Sequence, residues 1–284
     1  MESIYWYCAL GVVGAGVTVW VLCKKKDYYK NIMFFLFAMM FAFVCEMIVL
    51  LFFDSYSYRP GIYTDYYAEN IFGHIIPNAT LWPAVALLVA ACSLRYRWVI
   101  LIAVIFTILD ILYTSLGIYV HNWWQTWMTT VGGFGYLALM QKWYFRLSSN
   151  RTGVLRFITF WFALLVILKL PISMLLLTGT QLTYIGWFEN LYRDSGVFSV
   201  SYNTALTFLC TFFIFVLKKW YWKLIPFLIY FVCDRILLSQ GILLFYDGWN
   251  IWYLMLVRCV SLGAFIGLER KYPYNPASRR SLAV

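Results

Sequence analysis

An all-α polytopic transmembrane bundle of about nine helices is the fold class this sequence predicts, and three observations carry it. The chain is 63% hydrophobic and only 12% charged, whereas a soluble domain carries about a quarter charged residues. A chain of 284 residues cannot bury so much apolar surface in a water-soluble core, so its solvent is lipid. The apolar runs are also continuous and of membrane length rather than alternating. That selects helices over a closed barrel, the other backbone arrangement that satisfies its polar groups in hydrocarbon. Finally, basic and acidic loops alternate along the chain, as they do when successive helices cross a bilayer.

Taken in order, the first run is Ile4 to Leu22. No basic residue precedes it, Lys24, Lys25 and Lys26 follow it, and no small-residue cleavage site is evident. It reads as a retained anchor helix rather than a secretory signal. Eight further spans are expected at roughly 31–53, 79–94, 98–119, 124–141, 154–178, 202–217, 221–244 and 250–268; the third and seventh of the nine are short for a hydrocarbon core about 30 Å thick. Trp98, Trp123, Trp124, Trp143, Trp220, Trp222 and Trp249 stand near span ends, where interfacial aromatics anchor a helix.

One set of loops holds Lys24 to Lys26, Arg95 with Arg97, Lys142 through Arg156, Lys218 with Lys219 and Lys223, and the tail Arg270 through Arg280. The other holds Asp54, Asp65, Glu69, Glu189, Asp194 and Asp247, with only Arg59 and Arg193 as bases. The positive-inside rule then sets the C-terminus in the cytoplasm of a multi-pass cell-membrane protein and the N-terminus outside. The same clustering accounts for the net charge of +10 without nucleic acid as a partner. The expected surroundings are the lipid bilayer, with room for a second copy of the chain or another membrane partner. Cys8, Cys23, Cys45, Cys92, Cys210, Cys233 and Cys259 form no C-x-x-C pair, and all but Cys23 lie well inside apolar runs, so they read as small hydrophobes.

An internal correspondence divides the chain further. Trp98, Asp110, Ser115 and Gly117 recur 124 positions on as Trp222, Asp234, Ser239 and Gly241. Trp124 and Trp127 recur 125 positions on as Trp249 and Trp252, and Asn78 as Asn203. Glu69-Asn70 is matched to Glu189-Asn190, 120 positions on. The organisation expected is a leading helix with a basic loop (1–26), a first four-helix repeat (27–150), and a second four-helix repeat with a basic tail (151–284). Four is even, so both repeats would enter the membrane from the same side and be parallel rather than inverted.

At these residues the chain resembles a family of small multi-helix membrane proteins of spore-forming Firmicutes, about half this length and without established activity. The resemblance rests on Lys26-Asp-Tyr28-Tyr29, on Tyr246-Asp-Gly248-Trp249 and on Glu269-Arg270-Lys271-Tyr-Pro273. It implies that Asp110 and Asp234 match an acidic position in that family's third helix, and it implies a cell or forespore membrane. The family's Tyr-His turn is split here. His121 and Trp124 stand in the first copy without the glycine, and Tyr246 and Asp247 stand in the second.

Six ionisable residues fall deep in the spans: the acids Glu46, Asp110 and Asp234, and the bases Lys169, Arg235 and Arg258. A charge at mid-bilayer costs about 2.5–3.5 kcal/mol on insertion scales, so each needs a partner or a water-filled path. Asp110 has Thr107, Tyr113, Thr114 and Gly117 at helical spacing, a polar stripe, whereas Asp234 is followed by Arg235, a ready neutraliser. Outer-face candidates are Glu69, His74, Asn78, His121 and Asn203, with Asn78 and Asn203 also suited to N-capping the third and seventh spans. Asp65, Glu69, His74 and His121 would be the acids and bases of an enzyme acting on lipid head groups. No nucleophile elbow, phosphate loop, H-E-x-x-H or thiol pair appears, so no catalytic residue, cofactor or metal is assigned. The functional expectation is permeation or transport of an ion or small polar solute. The alternative is a non-catalytic scaffold or assembly factor of the cell or forespore membrane.

Overall fold

A computed structural model describes residues 2–148, 153–217 and 219–272. Met1, residues 149–152 with the basic Arg151, Lys218 and the tail from Pro273 onward lie outside the described residues. Among the described residues are nine helices, seven of them long and apolar enough to cross a membrane. They are α1 (Glu2–Lys24), α2 (Tyr28–Phe52), α3 (Tyr66–Ala91), α4 (Tyr96–Ser115), α5 (Thr126–Ser148), α6 (Gly153–Leu177), α7 (Leu191–Val216), α8 (Ile225–Ser239) and α9 (Ile251–Lys271).

The two helices that fall short of the span criterion do so for separate reasons. Helix α5 carries three glycines together with Gln141, Lys142 and Arg146, which lower its hydropathy. Helix α8 is only 15 residues long because Pro226 sits in its first turn and starts it, after a 3-10 turn at Trp220–Leu224. At 1.5 Å per α residue and about 2.0 Å per 3-10 residue, the combined rod is about 32 Å, enough to match a bilayer core.

Helix α3 begins at Tyr66, well before the expected 79, and α7 at Leu191 rather than 202. The sequence hides both starts because their first turns are polar. Their caps are Asp65, which accepts from the backbone N–H groups of Tyr67 and Ala68, and Asn190, which accepts from that of Arg193. Asn78 and Asn203 therefore sit inside helices and cap nothing. Helix α3 breaks at Thr80 (φ −125°, ψ −66°), three residues before Pro83, whose ring removes one donor and crowds the carbonyl of Ala79. Helix α1 crosses that break closely. A Cβ on Gly14 would lie 2.6 Å from the backbone carbon of Thr80, so only glycine permits the approach.

Among the described residues, four strands of three residues each join the helix ends. Strands β1 (Tyr56–Tyr58) and β2 (Tyr119–His121) pair antiparallel, as do β3 (Gln181–Thr183) and β4 (Leu243–Phe245). Helices α4 and α8 both close with a Schellman turn. Ile118 N–H donates to Tyr113 O and Ile242 N–H to Leu237 O, with Gly117 (φ +71°) and Gly241 (φ +70°) in the left-handed region.

The chain divides into two compact units, the first running to Leu155 and the second covering Arg156–Tyr272. Unit 1 contains α1 and then the order α2, β1, α3, α4, β2, α5. Unit 2 has α6, β3, α7, α8, β4, α9. The bounds of α2 and α6 (28–52, 153–177), of β1 and β3 (56–58, 181–183), and of α3 and α7 (66–91, 191–216) each differ by 125. In this register Glu69 corresponds to Asp194 rather than to Glu189. Glu69 accepts from the N–H groups of Gly61, Ile62 and Tyr63, and Asp194 from those of Ile185, Gly186 and Phe188. Both carboxylates are buried loop organisers.

Candidate functional site

Unit 1 holds an open cavity of about 510 Å³ that runs from Tyr56, Tyr58 and Tyr119 on β1 and β2 to Phe41 and Tyr136 midway along α2 and α5. Its walls are largely aromatic, including Phe41, Tyr58, Trp82, Phe106, Trp124 and Tyr136. Two acids reach it, Glu46 from α2 and Asp110 from α4, and neither Lys nor Arg is among its lining residues.

The buried face of α4 runs through Val99, Ala103, Phe106, Asp110 and Tyr113. Thr114 and Gly117, expected on the Asp110 stripe, are exposed instead, and Thr107 is half-buried and bonded to Thr130. Asp110 is 6% exposed. His121 Nε2 on β2 lies 2.9 Å from one of its oxygens, and Thr129 Oγ1 on α5 donates to the other at 3.2 Å. Trp124 Nε1 donates in turn to Thr129 Oγ1 at 2.9 Å. The strand pairing brings His121 to Asp110, eleven residues away in sequence, a contact the linear chain does not announce.

Glu46 has tyrosines rather than a base around it. The Tyr58 hydroxyl donates to Glu46 Oε1 at 2.6 Å, and Tyr56 and Asn78 also hydrogen-bond to the carboxyl. Burial, together with the neighbouring Glu46 carboxylate, holds the phenols of Tyr56, Tyr58 and Tyr119 protonated well above the ordinary tyrosine range. Asn78 donates to His74 O at 2.9 Å, and His74 Nδ1 lies 3.0 Å from Asn70 O. Glu69, His74 and Asn78 are all buried, so they do not form an outer polar face. Among the described residues, no three His, Cys, Asp or Glu side chains gather as metal ligands would.

Unit 2 treats its buried charge differently. Arg258 Nε donates to Asp234 Oδ2 at 3.2 Å and Nη1 to Asn203 Oδ1 at 2.7 Å, and the guanidinium lies 4.2 Å over the Tyr230 ring. The Tyr202 hydroxyl donates to Asp234 Oδ1 at 2.6 Å. Asp234, Asn203 and Arg258 are 1%, 1% and 3% exposed, so this is a closed, satisfied network. The neutraliser of Asp234 is thus Arg258, not Arg235, which is exposed. Adjacent helical residues point about 100° apart, so Arg235 cannot share the inward face of Asp234. Asn203 is likewise an interior residue of α7. Lys169 is buried within α6 of unit 2.

Sequence reasoning missed the strand tyrosines, Trp82 and Phe106 in unit 1, and Tyr202 and Tyr230 in unit 2; Gly132, Gly133 and Gly135, which read from the sequence as close helix packing, line the cavity. The Tyr56-Ser-Tyr58 alternation was the one available signal for the strand.

No known protein family, curated protein or solved structure matches this chain. Its fold and composition define its class: it is an all-α, multi-pass integral membrane protein.

Proposed function

We propose that the protein admits a small solute into unit 1 and serves its permeation or transport across a cell membrane, with unit 2 as a diverged, closed companion. The observation that carries this reading is the 510 Å³ cavity in contact with both Glu46 and Asp110. Asp110 is held by His121 and Thr129 and Glu46 by Tyr58, yet both acids line the same cavity, and an acid at membrane depth beside a cavity marks a path for a solute. The Asp234–Arg258 network favours the scaffold role, but for unit 2 alone.

The common 125-residue register supports a tandem duplication. So does Trp249, whose indole N–H is buried without an acceptor because Leu254 stands at the position of Thr129. Loop charges support an external N-terminus and a cytoplasmic C-terminus. The motif resemblance extends the reading to a Firmicute cell or forespore membrane.

Cys45 lines the cavity, which gives a direct test. With the other six cysteines replaced, a membrane-impermeant methanethiosulfonate is added to sealed vesicles of each orientation. A transporter exposes Cys45 to each face in turn, so both preparations are expected to label. Labelling from one face only leaves a binding protein without translocation, and labelling from neither overturns the reading.

A further inference from the structure

We infer that the unit 1 cavity takes an organic cation, an ammonium or guanidinium head on an apolar body. This rests on the reading that the cavity admits a solute, and unit 2 supplies the pattern. There a guanidinium meets a carboxylate (Asp234), an amide oxygen (Asn203) and an aromatic face (Tyr230). Carried back by 124 or 125 positions, those three partners are Asp110, Asn78 and Phe106, and all three line the cavity. The residue at the position of Arg258 is Gly133, which also lines it. The nearest atoms to a Cβ built on Gly133 are side-chain atoms of Trp82 at 3.5 Å and 3.8 Å and of Phe106 at 3.6 Å, ordinary van der Waals contacts with no clash. Unit 1 therefore keeps the groups that receive a cation, with Asp110 also held by His121 and Thr129, while the side chain that carries the cation in unit 2 is absent at Gly133, which borders the cavity.

Three further features point the same way. Asn203 uses its amide N–H to hold Ser199 O and its carbonyl to receive Arg258. Asn78 uses its amide N–H on His74 O in the same manner. Glu46, at the position of Pro171 in unit 2, adds a second acid to the lining. The remaining walls are mainly aromatic and aliphatic, which favours a cation with apolar surface over a hydrated inorganic ion. An anion would face two carboxyl groups with no Lys or Arg in the lining.

The chemistry could come from a soluble amine or from the head group of an amine lipid. The test uses the full chain in an uncharged maltoside detergent, with equilibrium dialysis against tetraphenylphosphonium and against tetraphenylborate, which share a shape and differ in sign. Saturable binding of the cation is expected, at least about tenfold tighter than the anion, since an aromatic site with desolvated acids discriminates strongly by charge. The double variant Glu46→Gln, Asp110→Asn should lose that preference. Gly133→Arg should abolish binding by supplying the guanidinium internally. Added phosphatidylethanolamine competes if the natural source is a lipid head group; a short alkylamine competes and the lipid does not if the source is soluble. Equal binding of the two ions by the unmodified protein overturns the inference, as does a double variant that retains the full preference. If Cys45 labels but the ions bind equally, only the cation assignment falls. If the cation is preferred and Cys45 resists labelling from both faces, the transport reading falls and the cation site stands.

Discussion

Asp110 on α4 and Asp234 on α8 are both buried acids, yet each meets a different partner. Asp234 is locked to an arginine, and breaking one half of such a buried pair strands the other. Arg258→Leu should therefore destabilise the protein by about 3–5 kcal/mol. The double change Asp234→Leu, Arg258→Met should cost less than either single change, because no buried charge is left uncompensated. Thermal unfolding in detergent, arranged as a double-mutant cycle, measures both. Glu69 and Asp194 make a second residue-scale pair, each accepting three backbone N–H groups from the loop before its helix. Asp194→Asn removes the charge and one acceptor together, and should cost about 1.5–3 kcal/mol. The loss should appear first as faster proteolysis of the preceding loop. Arg235 offers the contrast: it is exposed on α8, and its sequence neighbour Asp234 is not its partner.

At the scale of elements, the crossing of α1 over α3 depends on one missing side chain. Gly14→Val would drive a Cβ into the Thr80–Leu81 backbone and should cost about 1–3 kcal/mol as overpacking. Gly16→Val, where a Cβ meets nothing within 4 Å, should be close to neutral. Parallel melting curves of the two variants check this. The β1–β2 ribbon makes a different demand. Tyr56, Tyr58 and Tyr119 hold their protons above the usual tyrosine range because they are buried there. A raised folded value means the folded state keeps protons that the unfolded chain loses above about pH 10. Their contribution is thus fully present below that pH and disappears as pH rises through the folded values. Stability measured against pH should be flat with respect to these groups up to about pH 10 and fall beyond it. Tyr56→Phe should flatten part of that fall, with phenolate absorbance as the direct readout.

For the whole molecule, the topology proposed from the loop charges is one that labelling can check. Single cysteines placed near Asp65 and Asp194 should react with impermeant reagent from outside the cell, and one near Arg146 only from inside. Reaction of the Asp65 and Arg146 positions from the same side would overturn the orientation. The membrane class and the helical fold were legible from composition and from unbroken apolar runs, since the cost of unpaired backbone groups in lipid leaves few alternatives. Also legible was a list of buried polar residues, because charge is rare enough in such runs to be conspicuous. What each one does was not legible. Helical spacing placed Thr114 beside Asp110, and adjacency placed Arg235 beside Asp234. The structure instead gives Asp110 to His121 and Thr129, and Asp234 to Arg258, each from another element. Nor could the sequence show that Gly133 lines a cavity, since a glycine in a lipid-length helix more often means close packing. A bilayer acts on every residue along the chain, so sequence alone determines that this protein spans it and which residues are expensive there. Which of those residues meet depends on side chains brought together from distant segments, and that was decided only by the tertiary packing.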